Sequence, residues 1–294
     1  MRLGVDLGGT KIEIIALDEA GESLYRKRVD TPKGDYAATL NAIVGLVKGA
    51  ETELGQKGSL GIGIPGAVSR KTGRIKNANS TWLIGQDLSG DLQQRLDREI
   101  RLANDANCFA LSEATDGAGK GAEVVFGVII GTGCGGGVVV NGRIINGINS
   151  IGGEWGHNPL PWASADDVQM DCYCGLKGCN ETFLSGSGLQ VHYQKRTGLF
   201  KTAKEIVALS ERGDAVAEQI MQDYTLWLAK GLASVINVLD PDVIVLGGGM
   251  SNIQRLYSDV PELWGDWVFS DLVDTRLVPP VYGDSSGVRG AAWL

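Results

Sequence analysis

At 294 residues the chain is longer than one hydrophobic core usually serves, which predicts two lobes with a cleft between them. An apolar share of 43% with 21% charged residues excludes a disordered chain. The net charge of -8, with basic residues dispersed rather than in a stripe, excludes a nucleic-acid surface and requires any bound phosphate to be held locally, by backbone amides and a metal.

The N-terminus runs directly into a strand-like segment, without the apolar stretch and small-residue cleavage site of a signal peptide, so a cytoplasmic protein is expected. Gly4–Leu7 and Ile12–Leu17 flank Gly8-Gly9-Thr10-Lys11 and read as a hairpin. A third strand follows at Ser23–Val29. Leu40, Ile43, Val44, Val47 and Leu54 recur at helical spacing and predict an amphipathic helix over Tyr36–Leu54. Ser59–Ile64 is a short strand that stops at Pro65-Gly66. Leu92, Leu96 and Ile100 mark a short helix, and Ile100–Ala103 reads as a strand delivering Asn104-Asp105 at its end. A helix is predicted from Ala106 to Thr115.

At Val124 the plan restarts: Val124–Ile130, a glycine turn, then Gly137–Asn141. This uncharged stretch is interrupted by Gly127, Gly131, Gly133, Gly135, Gly136 and Gly137, so it reads as two strands rather than a membrane span. A long helix is predicted over Ala215–Leu239, then a strand at Val243–Leu246 that breaks at Gly247-Gly248-Gly249. The repeated strand–turn–strand predicts two related α/β lobes, each offering a turn to one ligand.

Two of these turns suit phosphate, because glycines let several N–H groups approach an anion closely. In the first, Asp6, Gly8, Gly9 and Thr10 are candidates, with Asp6 able to hold a hydrated Mg²⁺ and Lys11 either supplying charge or standing in solvent. The second is Gly131-Thr132-Gly133-Cys134-Gly135-Gly136-Gly137. Its match to a dinucleotide fingerprint fails on context, since the β-branched run Val138-Val139-Val140 follows instead of a helix. Gly248 and Gly249 sit where a nucleoside can lie.

Asp105, at a predicted strand end, can take a proton from a hydroxyl nucleophile, or it can simply cap the next helix. One histidine and three cysteines, His157, Cys172, Cys174 and Cys179, supply the N/S donors of a closed tetrahedral zinc site. Glu154 and Glu181 lie beside those donors. His192 is read as a surface or helix residue without a role, and Cys108 and Cys134 as small buried residues. Trp82 follows Asn77-Ala78-Asn79-Ser80-Thr81 in a loop able to reach a small ligand.

Together these motifs resemble the ROK family of bacterial sugar kinases. Asp6–Lys11 resembles its first phosphate motif, Gly131–Gly137 its second, Asn104-Asp105-Ala106-Asn107 its catalytic segment, and Glu154–His157 with the Cys-x-Cys-x₄-Cys-x-Glu run its sugar and zinc signature. Gly287-Val288-Arg289-Gly290-Ala291-Ala292 resembles its C-terminal segment. The resemblance implies a two-lobed, actin-like ATPase (ribonuclease H-like) α/β fold with the active site between the lobes. The lobes would comprise 1–115, which 284–294 can join, and 116–283. It implies ATP, Mg²⁺ and a structural zinc; Asp105 as general base; Gly66, Asn79, Asn104, Glu154, His157 and Glu181 around the sugar; and Gly4 and Lys11 with the two turns around the nucleotide. His157 would use one ring nitrogen for zinc and the other for sugar. A homodimer is implied as well, with neither nucleic acid nor membrane as a partner.

Within the family, Ile64-Pro65-Gly66, Asn77–Trp82 and Gly156–Trp162 are most similar to the fructokinases, implying transfer to the 6-hydroxyl of D-fructose and D-mannose. N-acetylglucosamine kinases and glucokinases share the catalytic and zinc motifs and are the alternatives. Family members that regulate transcription carry a helix-turn-helix ahead of the first motif, for which the position of Asp6 leaves no room. A non-catalytic sugar sensor has no reason to keep both turns together with Asp105. Trp162–Met170 forms an insertion between His157 and Cys172 whose shape the sequence leaves open.

Overall fold

The computed structural model describes residues 1–294, the side chain of Asp284 excepted. Two five-stranded sheets share one plan. The first is built from β1 (Arg2–Leu7), β2 (Lys11–Leu17), β3 (Ser23–Asp30), β4 (Ser59–Ile64) and β7 (Arg101–Asn104), in the order β3-β2-β1-β4-β7. A two-stranded ribbon, β5 (Ala67–Val68) with β6 (Ile75–Lys76), lies between β4 and β7 in sequence. The second sheet runs β10-β9-β8-β11-β12, from β8 (Val124–Ile130), β9 (Cys134–Val140), β10 (Arg143–Ile144), β11 (Val243–Gly247) and β12 (Arg276–Val278). In each sheet the first strand pairs antiparallel with the second and parallel with the next one in from the far edge. The predicted duplication is therefore present, in the two-lobed actin-like α/β architecture.

Helices cover both sheets. Helix α1 (Tyr36–Leu54) matches its predicted span. Asp35 caps it by accepting from the Ala38 N–H at 2.9 Å, and Gly55 ends it in the left-handed region at φ 67. Its Leu40, Ile43 and Val47 join Leu3, Val5, Ile12 and Ile14 of the first sheet in one core. Helix α2 (Leu88–Leu96) stops at Asp97, which is left-handed at φ 49, so Ile100 lies beyond the helix, just before β7. Helices α4 (Asn180–Leu184), α5 (Gly186–Thr197), α6 (Ala203–Glu211), α7 (Ala215–Leu239) and α8 (Leu256–Trp264) belong to the second half of the chain. There Tyr224, Leu228 and Leu232 of α7 pack on Phe126, Val128, Ile244 and Leu246. No helix is long and apolar enough to cross a membrane among the described residues.

Helix α3 (Asp105–Thr115) lies on the other face of the second sheet, burying Phe109, Ala110 and Leu111 against Val125, Val139, Val243 and Val245. The C-terminal helix α9 (Ser286–Trp293) fits between α3 and the first sheet. This fit needs missing side chains. A Cβ on Gly290 would stand 1.6 Å from the Cys108 carbonyl oxygen, and one on Gly61 would stand 2.0 Å from that of Ala291. Gly4 is of the same kind: its Cβ would meet the Val288 carbonyl at 2.2 Å, so its role in the fold is packing against α9.

One predicted boundary shifts. Strand β9 starts at Cys134 and not at Gly137, with Ile130 facing Cys134 and Val128 facing Gly136. Gly136 and Gly137 are ladder residues whose missing Cβ atoms make room for Trp155 and for the Ala106 carbonyl.

Gly290→Ala drives a methyl group into a backbone carbonyl that cannot swing aside. It should cost about 1–3 kcal/mol, towards the upper end, and lower the melting temperature in a thermal scan.

Candidate active site

Chain order brings the carboxyl ends of β1 and β7 to one side of the first sheet, where ligands of open α/β sheets bind. A cleft of about 550 Å³ opens there, lined by Asp6, Gly8 and Gly9, by Lys33, by Asn79, Ser80 and Trp82, and by Asp105. Gly248, Gly283 and Gly287 line it from the later part of the chain. Asp6, Gly8, Gly9, Asn79, Asp105 and Gly248, read separately from the sequence, thus face one space.

Asp105 is the first residue of α3. The capping role left open for it is taken by Asn104, whose Oδ1 accepts from the Ala106 N–H at 2.9 Å, although Asp105 Oδ1 also accepts from that N–H at 2.8 Å. Asn104 Nδ2 in turn donates to the Gly66 carbonyl at 2.9 Å, which joins two predicted sugar contacts. Gly66 itself is left-handed at φ 75 and presses on the Lys76 carbonyl.

The acids in this space repel each other. Burial, then the carboxylates of Asp105 and Glu13, push the Asp6 carboxyl up to about 7, with Arg28 pulling it down. Asp6 and Glu13 stand opposite each other on β1 and β2. Burial also raises the Asp105 carboxyl, against the hydrogen bonds that stabilise its charged form. Glu154 is raised too, by burial first, and it feels His157, which lowers it, and Asp105. Carboxyls raised in this way hold a proton more readily than exposed ones, and a cation among them would be favoured.

Other predicted residues are placed differently. Lys11 pairs with Asp30 on the exposed side of the first sheet and does not line the cleft. Thr10 offers its carbonyl to the Thr31 N–H at 3.0 Å. In the second turn only Gly131–Gly133 lie outside the strands. That turn is anchored where the Gly186 N–H donates to the Gly131 carbonyl at 2.8 Å and Ser187 Oγ donates to Thr132. Gly135, Gly136 and Gly137 belong to the ladder. Gly249 opens a short 3-10 turn after Gly248.

His157, Cys172, Cys174 and Cys179 converge, with all four donor atoms within 4.8 Å of one another. Cys172 Sγ is 3.6 Å from His157 Nδ1, and Cys174 Sγ is 3.6 Å from Cys179 Sγ. Zinc–sulfur bonds of about 2.3 Å at tetrahedral angles put sulfurs roughly 3.8 Å apart, so the donor set fits such an ion. The other ring nitrogen, His157 Nε2, sits 3.0 Å from the Tyr173 hydroxyl. Sequence reading reserved it for a sugar and overlooked Tyr173, whose only signal is its place between two cysteines. Glu181 reaches the second turn, accepting from the Cys134 N–H at 2.9 Å.

The Trp162–Met170 insertion folds onto α7. Lys230 Nζ donates to the Trp162 carbonyl at 2.9 Å, and Trp227 Nε1 donates to Asp167 at 2.7 Å. His192 is helical as expected but buried, stacked on Phe183 and tilted against Trp227. Burial lowers its pKa to about 4, so it packs as a neutral ring. Cys108 and Cys134 are buried, as the sequence suggested.

Comparison with known proteins gives matches that run along the whole chain. The model of the ROK family matches residues 2–294. An N-acetyl-D-glucosamine kinase of Yersinia enterocolitica is 40% identical over 100% of this chain and 99% of its own length. Among solved structures, a ROK hexokinase from Thermus thermophilus has a TM-score of 0.88 at 31% identity, covering 99% of this chain and 96% of that one. A ROK family glucokinase from Streptomyces griseus, in complex with glucose and AMPPNP, has a TM-score of 0.77 at 28% identity, covering 99% and 97%.

Proposed function

The chain belongs to the ROK family and is an ATP-dependent sugar kinase; from that premise we propose that it phosphorylates the 6-hydroxyl of a hexose, with Asp105 as general base. The observation that carries this is the meeting of Asp105, Asp6 and the first glycine turn in one cleft. Phosphoryl transfer asks the protein mainly for positioning and charge stabilisation. Gly8, Gly9 and Thr10 of the first turn, Gly131–Gly133 of the second and Gly248-Gly249 hold the nucleotide in this reading, and Asp6 faces the Mg²⁺ that accompanies ATP. Asn79, Asn104, Glu154 and Glu181 orient the sugar. Asp105 accepts the hydroxyl proton as the new oxygen–phosphorus bond forms and ADP departs.

For the acceptor, the relatives favour N-acetyl-D-glucosamine over the fructose expected from the sequence. A second reading, D-fructose with D-mannose, is favoured by one local observation. Asn79, Ser80 and Trp82, which carry the fructokinase resemblance, line the cleft itself. Acceptor choice rests on contacts to a few groups of the sugar, which identity over a whole chain does not track. The lobes divide in this reading into 1–115 and 116–283, with 284–294 returning to the first and α3 serving both. A cytoplasmic homodimer completes it, since a reducing compartment keeps three clustered thiols free to bind metal.

The zinc held by His157 Nδ1, Cys172, Cys174 and Cys179 is structural, because four protein donors leave no open position. It ties down the loop that carries His157 and ends at Glu181.

Four outcomes are expected. Release of ADP with Mg-ATP, measured as kcat/KM across N-acetylglucosamine, fructose, mannose and glucose, should favour one of the first three, and absence of turnover on all four would overturn the kinase reading. Asp105→Asn should lose turnover by roughly 10²–10⁴-fold with sugar KM little changed. Across a pH series wild-type kcat/KM should decline on acidification through a pKa above the ordinary aspartate range, because protonated Asp105 is no base; a flat profile would remove it from that role. Metal analysis should find one zinc per chain, and Cys174→Ser should lose it and raise the KM for sugar more than that for ATP.

A further inference from the structure

The transferring phosphoryl group spreads negative charge over three oxygens, and an acidic cleft needs a cation to meet it. Lys11, the basic residue of the first turn, is committed to Asp30 outside the cleft. Among the described residues lining the cleft, Lys33 is the one with a cationic side chain. It makes no ion pair among them.

Its position is built rather than accidental. Thr31, 6% exposed, lies along the first turn: its N–H donates to the Thr10 carbonyl at 3.0 Å and its Oγ1 donates to the Gly8 carbonyl at 2.8 Å. Pro32 fixes the next φ. On the far side, Thr39 Oγ1 hydrogen-bonds the carbonyls of Pro32 at 3.3 Å and Asp35 at 2.7 Å, while Asp35 caps α1. Trp82, which lines the same cleft, donates through Nε1 to Thr39 Oγ1 at 3.3 Å. Lys33 therefore sits at the crest of a short bridge with one foot on the phosphate turn and the other on α1.

We propose that Lys33 contacts the transferring phosphoryl group and stabilises the charge it carries between ADP and the sugar. This rests on the kinase reading above. The step balances without any proton from Lys33. The bond between the sugar oxygen and phosphorus forms, the bond to the ADP oxygen breaks, Asp105 takes the hydroxyl proton, and the ammonium keeps its own. As a point charge on a flexible stem, lysine suits a phosphate that moves during the reaction.

The test compares wild type, Lys33→Met and Lys33→Arg with Mg-ATP and the best of the four sugars. Lys33 is exposed, so both variants should melt with the wild type. Lys33→Met is expected to lose roughly 10- to 100-fold in kcat with sugar KM unchanged, and Lys33→Arg to recover most of it. Unchanged kcat in Lys33→Met, or a loss confined to sugar KM, would overturn the proposal while leaving the kinase reading intact. A wild type inactive on every sugar would overturn both.

Discussion

The near-contact of two helix backbones, α3 and α9, organises this molecule. It exists because Gly290 has no side chain to hold the Cys108 carbonyl away, and Gly4 and Gly61 allow α9 the same intimacy with the first sheet. The groups that line the cleft hang on these elements. Asp105 starts α3, Gly287 lies in the first turn of α9, and Asp6 is the penultimate residue of β1, with its Oδ2 3.8 Å from where a Cβ on Gly287 would stand. A shift of α9 by a single methyl group would therefore move the floor of the site as well as the core. Buried polar groups fix the register. Glu113, fully buried, accepts from Ala118 N–H at 2.9 Å, Val281 N–H at 3.1 Å and Ser286 Oγ at 2.7 Å. Arg289 pairs with Asp116, donates to the Gly21 carbonyl at 2.8 Å and lies 3.8 Å over the Tyr282 ring. Removing one partner of such a pair typically costs about 3–5 kcal/mol, because the other charge is left stranded.

That rigid floor is what makes the electrostatics of the cleft possible. Carboxylates left free to move would turn away from one another and from the low-dielectric wall. Here Asp6 is held on a strand and Asp105 at a helix start; burial raises both, and the Asp105 carboxylate adds to the rise of Asp6. On the proposed kinase reading, a metal–nucleotide complex would relieve the repulsion, which would give the acidic cleft an attraction for a ligand that is itself anionic but arrives with a divalent ion. The glycine turns would complete the match, since backbone amides bind phosphate without adding charge.

Local pattern carried much of this into the sequence. The duplicated strand–turn–strand, helix α1 and strand β8 are legible because periodicity and glycine punctuation are short-range signals. Helix α2 was legible in its apolar spacing but not in its end, which Asp97 sets by adopting a left-handed conformation. The glycine run after Ile130 was read as one long turn. It is a tight turn followed by a strand whose glycines admit Trp155 and the Ala106 carbonyl, partners distant in sequence. Lys11 and Lys33 show the same limit. Adjacency to the glycines favours Lys11, but its ammonium pairs with Asp30 at the exposed start of β2, whereas the stretch held by the Thr31 hydrogen bonds carries Lys33 to the cleft. Tyr173 carries no pattern of its own, and its contact with His157 exists only once the cysteines have gathered.

The cysteine cluster and the second turn are likewise one assembly. Cys179 ends the donor set and is the residue before α4, and Glu181 in the first turn of that helix accepts from the Cys134 N–H. A Cβ on Gly133 would stand 2.7 Å from the same carboxylate, so the turn is shaped around Glu181 and not merely touched by it. Around the cluster the chain has little apolar surface to bury: Tyr173 and Leu176 are exposed, and the loop closes instead on backbone pairs such as Leu160 N–H to the Gly178 carbonyl at 2.8 Å. Such a loop orders poorly by hydrophobic burial alone. A metal at its four donors would supply the missing constraint at the point from which the chain passes, through α4, to the second glycine turn. On the proposed kinase reading, the position of that turn would then depend on donors that never touch the nucleotide, which would account for a four-donor cluster set beside a cleft rather than within it.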